Sequence, residues 1–391
     1  MIRTAAFALL VLAITVATHW IVYRWAIDVF PALARRRRWV FGVLVCAMVS
    51  QPIVWLLAAR LHSDWLATVR AGLIFEQMVV VLGTIPLGLL RVVVWFATKG
   101  WRKPSAEAPV QSAPMTRRQV VEGVGGTVLL GTAGGMLGWG MARGRHAFET
   151  TEVVVRIAGL PRVLDGYSIV QMSDIHTGIF IGEREINEGF DRVRRLAPDL
   201  VVVTGDIVDH EARFAPLIGR KLVDLAPRDG VFAIVGNHDY YAGISRVVDS
   251  LRAAGVDVLV NEGRRIRPEE SGGFSLLGVD DLWGTRMGGQ GPLLARAQAM
   301  VPRDVPQVLL SHQPSTVDLW AGRVALQLSG HMHGGQINPG IHPAWWFFRY
   351  VAGRYEVGKT TLYVNRGFGT AGPPSRVCAP PEITRVVLVS A

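Results

Sequence analysis

Aspartate, asparagine and histidine residues follow five short apolar runs in the second half of the chain. The five stretches read SDIH (173–176), GDIVD (205–209), GNHD (236–239), SHQP (311–314) and GHMH (330–333). Their side chains offer carboxylate, amide and imidazole donors but no thiolate, and this donor set suits Zn, Mn or Fe. Binding of metal ions is therefore the chemistry that these residue types could support.

Each stretch alone has an ordinary structural explanation. A lone aspartate after a strand usually belongs to a turn or caps a helix, and a lone buried histidine is more often a core residue than a ligand. Five such stretches in succession, all after apolar runs, are difficult to explain by capping. The candidate ligands are too many for one tetrahedral ion but fit two ions that share a bridge. These candidates are Asp174, His176, Asp206, Asn237, His312, His331 and His333.

The elements that must position these residues are short buried strands. Apolar, β-branched runs read as strands at 167–172, 200–205, 231–236, 308–311 and 325–330. Amphipathic helices are expected between them, at 183–198 and 244–255. This alternation predicts an α/β fold. Because ligands of such folds bind at the carboxyl ends of the strands, we expect the five polar stretches to meet at one edge.

The N-terminal part of the chain is basic as well as apolar. The formal net charge is +10, and residues 1–150 hold 16 Lys and Arg against 6 Asp and Glu, whereas residues 151–391 hold 25 of each. The excess charge therefore accompanies the apolar segments, which favours a membrane protein over a nucleic-acid-binding one. The two cysteines, Cys46 and Cys378, supply neither a disulfide framework nor a thiolate metal site.

Three segments near the N-terminus are expected to span a membrane. Residues 5–23 and 39–59 contain no charged residue and are long enough to cross about 30 Å of hydrocarbon. The third segment, 71–96, contains Glu76 and Arg91, so a soluble core helix is the alternative interpretation. In a span, Glu76 would lie near the interface or, less commonly, act as a functional carboxylate within the membrane.

A linker separates this transmembrane region, residues 1–100, from a fourth apolar segment. The linker at 101–119 is rich in Pro and Ala and ends near an arginine pair at 117–118. With the glycine-rich segment at 120–142, the pair resembles a twin-arginine export signal, although Val120 stands where Phe is usual. A basic flank before an ordinary span looks similar. Because no small-residue cleavage site follows, we expect a fourth span or retained signal-anchor.

Basic residues between the apolar segments predict their orientation. The loops at 24–38 and 91–118 carry five and six basic residues, and the loop at 60–70 carries two. Basic loops remain in the cytoplasm. Four spans with this alternation place the N-terminus outside, and they place the domain at 150–391 outside as well, on the periplasmic or external face of a cell membrane.

The order D-x-H, G-D-x-x-D, G-N-H-D, S-H and G-H-x-H resembles the signature of the calcineurin-like metallophosphoesterase family. GHMHGGQINP (330–339) and the ending at 363–389 resemble a bacterial branch with N-terminal transmembrane or twin-arginine segments. The resemblance covers residues 150–391 and implies a four-layer α/β/β/α sandwich. It also implies a metal-dependent phosphoric ester hydrolase, most simply a phosphodiesterase or pyrophosphatase, with two divalent ions of Mn, Zn or Fe.

The resemblance also gives each candidate residue a role. It implies one metal on Asp174, His176 and His333, a second on Asn237, His312 and His331, and Asp206 as the bridge between them. His238 resembles the histidine that protonates the leaving oxygen or stabilises the transition state. Asp209 either orients a ligand or caps a helix. A hydroxide between the two metals would attack the phosphorus.

An aromatic run follows the last pair of histidines. Residues 342–355 read HPAWWFFRYVAGRY, with four consecutive aromatic residues from Trp345 to Phe348. This run is either a loop packed onto the sheet or a lip that enters the membrane interface, a layer that Trp and Tyr favour. Membrane-tethered relatives suggest lipid-linked or cell-envelope phosphoesters as substrates. A membrane sensor whose metal domain only binds is the alternative to an enzyme, although a degenerate domain should have lost ligands.

Overall fold

The computed structural model describes residues 2–61, 63–98, 115–270 and 273–391. Within these ranges the chain divides at Gly138 into a helical unit and a unit built on two sheets. The expected linker at 101–119 lies mostly outside the described residues.

Helices of 5 to 35 residues make up the described part of the first unit. They are α1 (Ile2–Val29), α2 (Pro31–Arg35), α3 (Arg37–Leu61), α4 (Asp64–Thr98) and α5 (Arg117–Ala142), the last of which continues past Gly138. A helix satisfies its own backbone hydrogen bonds, which a segment surrounded by lipid requires.

Three helical segments among the described residues are long and apolar enough to cross a membrane. They comprise Arg37–Val54, Asp64–Thr98 and Arg117–His146. The spans expected from the sequence at 39–59, 71–96 and 120–142 overlap these three segments. The first expected span, 5–23, falls within α1, and its crossing stays a prediction, as does the total number of spans.

Polar contacts connect helices of the first unit. Nη2 of Arg91 on α4 lies 2.8 Å from Oδ2 of Asp28 on α1. Nε2 of His19 on α1 lies 3.1 Å from Oε1 of Glu76 on α4. Glu76 is therefore paired with a histidine of a neighbouring helix, so interhelical packing is one demonstrated role of this carboxylate.

Twelve described strands and seven helices form the second unit. The strands are β1 (Glu149–Ile157), β2 (Tyr167–Met172), β3 (Leu200–Thr204), β4 (Val231–Ile234), β5 (Asp257–Val258), β6 (Glu262–Ile266), β7 (Phe274–Gly278), β8 (Gln307–Leu310), β9 (Leu326–Ser329), β10 (Gly353–Val357), β11 (Thr360–Val364) and β12 (Glu382–Ser390). The helices are α6 (Glu183–Leu196), α7 (Ala215–Val223), α8 (Asn237–Ala242), α9 (Ile244–Ala254), α10 (Leu294–Gln298), α11 (Val317–Trp320) and α12 (Ala344–Phe347).

The strands form two mixed six-stranded sheets. The first has the order β1-β12-β2-β3-β4-β5, and the second has the order β10-β11-β9-β8-β7-β6. In the first sheet, β2, β3, β4 and β5 are parallel, and β12 joins β2 antiparallel. In the second sheet, β7, β8 and β9 are parallel. All the strands that precede a polar stretch are therefore central and parallel, so their carboxyl ends lie on one edge of each sheet.

Alternating side chains of the buried strands pack into separate layers. In β3, Val201 belongs to the core that includes residues of α6, α7 and α9, whereas Val202 belongs to the core between the two sheets. In β8, Leu310 faces the same intersheet core, whereas Leu309 packs with residues of α10 and α11. Strands buried on both faces are expected to read as continuous apolar runs. The layers are α, β, β and α, which confirms the expected fold class.

Candidate metal centre

The carboxyl ends of five strands bring the candidate ligands together. Asp174 and His176 follow β2, Asp206 follows β3, and Asn237 opens α8 after β4. From the second sheet, His312 follows β8, and His331 and His333 follow β9. Six of the seven fall into two groups, in each of which donor atoms lie within 4.8 Å of one another: Asp174, His176 and His333; and Asp206, His312 and His331.

In the first group, two imidazole nitrogens approach each other from different sheets. Nε2 of His176 lies 3.1 Å from Nε2 of His333. Oδ1 of Asp174 lies 3.4 Å from Nε2 of His333. Both carboxylate oxygens of Asp174 also accept hydrogen bonds from the backbone N–H of His331, which fixes this side chain. Three donor atoms from the turns after β2 and β9 thus face a common point.

The second group is centred on Asp206. Oδ2 of this residue lies 3.3 Å from Nε2 of His312 and 3.7 Å from Nε2 of His176, which belongs to the first group. Nδ1 of His331 lies 3.2 Å from Nε2 of His312. The carboxylate of Asp206 therefore lies between the two groups.

The backbone adopts the left-handed conformation at five of these ligand positions. Asp174, His176, Asp206, His331 and His333 have φ values of 50°, 49°, 50°, 70° and 50°. Residues with a Cβ occupy this region rarely, at a cost of about 1–3 kcal/mol each. Such residues are concentrated at functional sites, where the required direction of the side chain outweighs the backbone strain.

Gly330 shows why glycine stands before the histidine pair. A Cβ on this residue would overlap the side chains of Ser173 and Asp174. The turn after β9 therefore passes directly against the turn after β2. Glycine is the residue that allows this close backbone approach, and the approach places the two histidines beside Asp174.

Asp209 lies behind the imidazole of His176. Its Oδ1 is 3.4 Å from Nδ1 of His176 and 3.2 Å from Nδ1 of His238. The next helical turn begins at Ala212 and has Glu211 at its N-cap, so Asp209 does not occupy the capping position. A carboxylate on Nδ1 orients a histidine whose Nε2 binds a metal. The contacts of Asp209 fit the orienting role rather than the capping role.

His238 is attached to the centre through its backbone and its ring. Its backbone N–H donates to Oδ1 of Asp206 at 2.8 Å, and its Nδ1 lies 3.0 Å from the carbonyl oxygen of Asp209. Burial opposes protonation, but the interaction of Nδ1 with the carboxylate of Asp209 raises the pKa of His238 to about 9. The remaining nitrogen, Nε2, is the one available to a ligand beside the metal centre.

Electrostatics set the protonation states of the donors. Burial disfavours the ionised form of Asp206, but His312 beside it holds the pKa of this carboxyl well below its usual value. Burial and then the charge of His312 lower the pKa of His331 to about 3. Burial also lowers the pKa of His333. An ionised Asp206 and neutral His331 and His333 are in the forms that bind a cation. In the metal-free site, burial raises the pKa of Asp174, and the charge of Asp206 overcomes burial and raises the pKa of His312.

Asp239 has an organising role that the sequence interpretation did not assign. Its side chain is fully buried and accepts hydrogen bonds from the backbone N–H groups of Ile207, Val208 and Gly236, at 2.9 to 3.1 Å. It therefore joins the turn after β3 to the turn after β4. Its position in GNHD, next to His238, is the signal that could have drawn attention to it.

Arg376 is a second contact that the sequence interpretation missed. Its guanidinium is buried, with Nη2 lying 3.1 Å from Nδ1 of His333. It also donates to the carbonyl oxygens of Gly369 and Ala379 at 2.6 to 2.9 Å. Burial lowers the pKa of Arg376 to about 9. The sequence signal is weak, because a single arginine after PPS resembles any other surface arginine.

The donor set fits divalent cations. Among the described residues, Oδ1 of Asn237 is buried and has no hydrogen-bond partner, although buried amide oxygens are normally paired. The ring nitrogens of His176 and His333 lie 3.1 Å apart, and those of His312 and His331 lie 3.2 Å apart. Each pair converges in the way that two ligands of one ion do. Oxygen and imidazole donors without sulfur suit Zn, Mn or Fe.

The sandwich fold and this buried donor cluster define a metalloenzyme of the α/β/β/α class. Residues 167–335 match the sequence model of the calcineurin-like phosphoesterase family. The metallophosphoesterase YkuE of Bacillus subtilis is 35% identical over 294 residues, which cover 71% of this chain and 98% of that one. The chain therefore belongs to the calcineurin-like metallophosphoesterases, and its second unit contains the phosphoesterase domain of that family.

Other relatives match over part of their length. A metallophosphoesterase of Campylobacter jejuni is 36% identical over 61% of this chain and 63% of its own. A transmembrane protein with a metallophosphoesterase domain from Danio rerio is 31% identical over 65% of this chain and 60% of its own. This chain thus spans less than two thirds of these two relatives. The solved structure of the calcineurin-like phosphoesterase YfkN of Bacillus subtilis has a TM-score of 0.35 at 14% identity, over 57% of this chain and 90% of that one.

Proposed function

We propose that this chain is a membrane-anchored phosphohydrolase that holds two divalent cations and cleaves a phosphodiester or pyrophosphate bond. Its substrate is a lipid-linked or cell-envelope phosphoester, and its second unit faces away from the cytoplasm. The observation that carries the proposal is the position of Asp206, whose carboxylate faces both groups of candidate ligands. A carboxylate that faces both groups would suit a bridge between two ions.

The proposed ligand sets follow the two groups. Asp174, His176 and His333 would hold one ion, and Asn237, His312 and His331 would hold the other, with Asp206 shared. Bound divalent cations make hydroxide available near neutral pH and neutralise charge on phosphoryl oxygens.

The chain's own residues orient the ligands and supply a proton. Asp209 fixes the ring of His176 through Nδ1, so that Nε2 faces the centre. His238 has Nδ1 engaged by the carbonyl of Asp209, and its Nε2 can therefore give a proton to the departing oxygen. The proposed reaction uses water as the nucleophile and therefore needs no nucleophilic serine or cysteine.

The extracytoplasmic orientation rests on the distribution of basic residues. Loops at 24–38 and 91–118 are rich in Arg and Lys, and the loop at 60–70 is poor in them. The seven ligands come from five strand ends in two sheets, so the site exists only after the domain has folded. Export of a folded domain, as a twin-arginine signal would permit, would let the cell load the metal before export.

A substrate panel tests the proposal. The full chain, reconstituted in nanodiscs and supplied with Mn or Zn, is offered phosphomonoesters, soluble phosphodiesters and nucleotide-linked lipids. We expect turnover of a diester or pyrophosphate above that of Asp206→Asn prepared in the same way. Turnover confined to monoesters, or equal turnover by wild type and Asp206→Asn, would contradict the proposal.

A further inference from the structure

Five large apolar side chains are exposed within eight residues beside the metal centre. Ile341, Trp345, Trp346, Phe347 and Phe348 are between 52% and 79% exposed. We call residues 341–348 the aromatic lip. The four consecutive aromatic side chains do not pack onto the sheet, since they lie largely in solvent. Further along the same run, Tyr350 does pack against residues of β11. Exposed apolar patches of this kind mark surfaces that bind a protein, a ligand or a membrane.

The aromatic lip packs directly against the turn that carries His333. That turn, His333–Gly335, contacts α12, the short helix within the lip. The approach is so close that a Cβ on Gly335 would lie 2.8 Å from Cβ of Ala344. Whatever the lip contacts is therefore brought to the rim of the metal centre.

The charge around the aromatic lip favours an anionic partner. The chain has no Asp or Glu from Leu319 to Tyr355, a stretch that includes Arg349 and His342. Arg349 follows the lip immediately, and its side chain is 74% exposed; its guanidinium lies 3.5 Å from Oδ1 of Asp318 and 5.1 Å from the ring centroid of Tyr350. Aromatic residues flanked by exposed basic ones are typical of surfaces that lie in the headgroup region of a bilayer.

A bilayer is within reach of the second unit through the chain itself. Only six residues, 143–148, separate the end of α5 from the start of β1. Fully extended, a connection of this length reaches about 25 Å. The connection therefore limits the distance between the end of α5 and the start of β1 to about 25 Å.

We propose that the aromatic lip inserts into the interfacial layer of an anionic bilayer and holds the metal centre at headgroup level. Trp345 to Phe348 enter the layer, and Arg349 binds lipid phosphates at its surface. The enzyme then takes the scissile phosphoester from the membrane plane rather than from bulk water. This inference rests on the membrane anchoring proposed above.

A depth measurement tests insertion without reference to activity. The full chain, with Cys46→Ser and Cys378→Ser, carries a nitroxide on Phe347→Cys and is reconstituted in nanodiscs containing anionic lipid. We expect the label to collide more with oxygen and less with a nickel chelate than a label on Val163→Cys. Val163 is exposed and lies before the amino end of β2, whereas the metal centre lies at the carboxyl ends of the strands. Equal access of the nickel chelate to both labels would overturn the proposal.

A substrate comparison tests the consequence for catalysis. The variant Trp346→Ser/Phe347→Ser/Phe348→Ser is assayed on bis(p-nitrophenyl) phosphate in solution and on CDP-diacylglycerol in anionic vesicles. We expect unchanged turnover of the soluble diester and a loss of about tenfold or more on the vesicle substrate, because the lost apolar area no longer anchors the lip. Val163→Ser, a matched change of an exposed apolar residue, should change neither activity.

The two measurements separate failure of the lip from failure of the proposed function. Equal loss on both substrates, or no loss on either, would overturn membrane docking by the lip. A wild-type protein that hydrolyses neither substrate would contradict the proposed function, and the depth of the nitroxide on Phe347→Cys would then decide the docking proposal alone.

Discussion

The backbone N–H of His238 donates a hydrogen bond of 2.8 Å to Oδ1 of Asp206. The other oxygen of this carboxylate lies 3.3 Å from His312, on the second sheet, and 3.7 Å from His176, on the first. One side chain thus contacts the turn after β4 and ligands from both sheets. A change at Asp206 should consequently disturb the whole centre rather than one half of it.

Asp206→Asn should weaken both metal positions. The uncharged amide replaces a carboxylate that faces both ligand groups. A change in a residue that only orients a ligand lowers metal affinity by about 10- to 100-fold, so for a direct ligand we expect a loss of about 100-fold or more. Elemental analysis and metal titration of the full chain measure this, with two ions per chain expected for wild type. Asp229→Asn, which alters a carboxylate paired with Arg267 and Tyr167, is the control. Loss of a single ion from Asp206→Asn, or one ion per wild-type chain, would count against the bridge.

His238→Ala should retain metal and lose turnover. The imidazole of His238 is not a proposed metal ligand, so the metal content of the variant should match that of wild type. Removal of a general acid lowers the rate by about 10²- to 10⁴-fold. The kcat on an alkyl phosphodiester should fall further than the kcat on a p-nitrophenyl diester, because only the poor leaving group needs a proton. Full kcat on the alkyl diester would show that His238 is not the acid.

Asp209→Asn should lower metal affinity by about 10- to 100-fold, as expected when a residue that orients a metal-binding histidine is changed. The amide no longer holds Nδ1 of His176 through a charge-assisted contact, which is 3.4 Å in the native chain. Competition with a metal-binding dye measures the affinity. Unchanged affinity together with reduced kcat would instead assign Asp209 to the positioning of His238.

Removal of metal should lower the unfolding temperature. Ions held by His176 from the first sheet and His333 from the second would connect the two sheets across a 3.1 Å gap. A ligand at 1,000 times its Kd stabilises by about 4 kcal/mol, which corresponds to about 8–16 °C for a domain of 150–250 residues. Thermal unfolding with and without EDTA measures the shift, and Asp206→Asn should respond much less. An unfolding temperature that does not change on addition of EDTA would argue against ions that connect the two sheets.

A single reactive cysteine should show the side of the membrane. Ser245→Cys lies exposed in the first turn of α9, and Cys46→Ser with Cys378→Ser removes the native thiols. An impermeant maleimide should label this variant in intact cells or spheroplasts, because the second unit is expected outside the cytoplasm. Leu33→Cys, in the basic loop expected inside, should react only after lysis. The opposite pattern would reverse the proposed orientation.

The sequence predicted the strands that carry the centre with little error. The run at 167–172 is β2 without change, and the helix expected at 244–255 is α9, Ile244–Ala254. Short apolar runs followed by Gly, Asp or His indicate both a buried strand and a binding site at its end. A buried parallel strand needs an apolar run, and a binding site needs polar residues where the strand stops.

Long-range pairing could not be predicted in the same way. β1 pairs in parallel with β12 from Glu149 with Glu382 to Ile157 with Ser390. Nothing in local periodicity selects a partner more than 200 residues away. Likewise β3 and β8 have the same buried pattern, although they belong to different sheets. Arg376 was missed for a related reason, since its contact with His333 depends on how two distant turns fold together.

The left-handed backbone conformation at five ligand positions lowers the stability of the metal-free protein while it positions the donor atoms. With φ between 49° and 70°, each of these residues occupies a conformation that glycine adopts freely. Glycine substitution would relieve the backbone of the metal-free protein, yet it would delete the donor atom. A redesign that selects for thermal stability of the metal-free domain would therefore favour changes that remove metal ligands, so these five positions should be left unchanged.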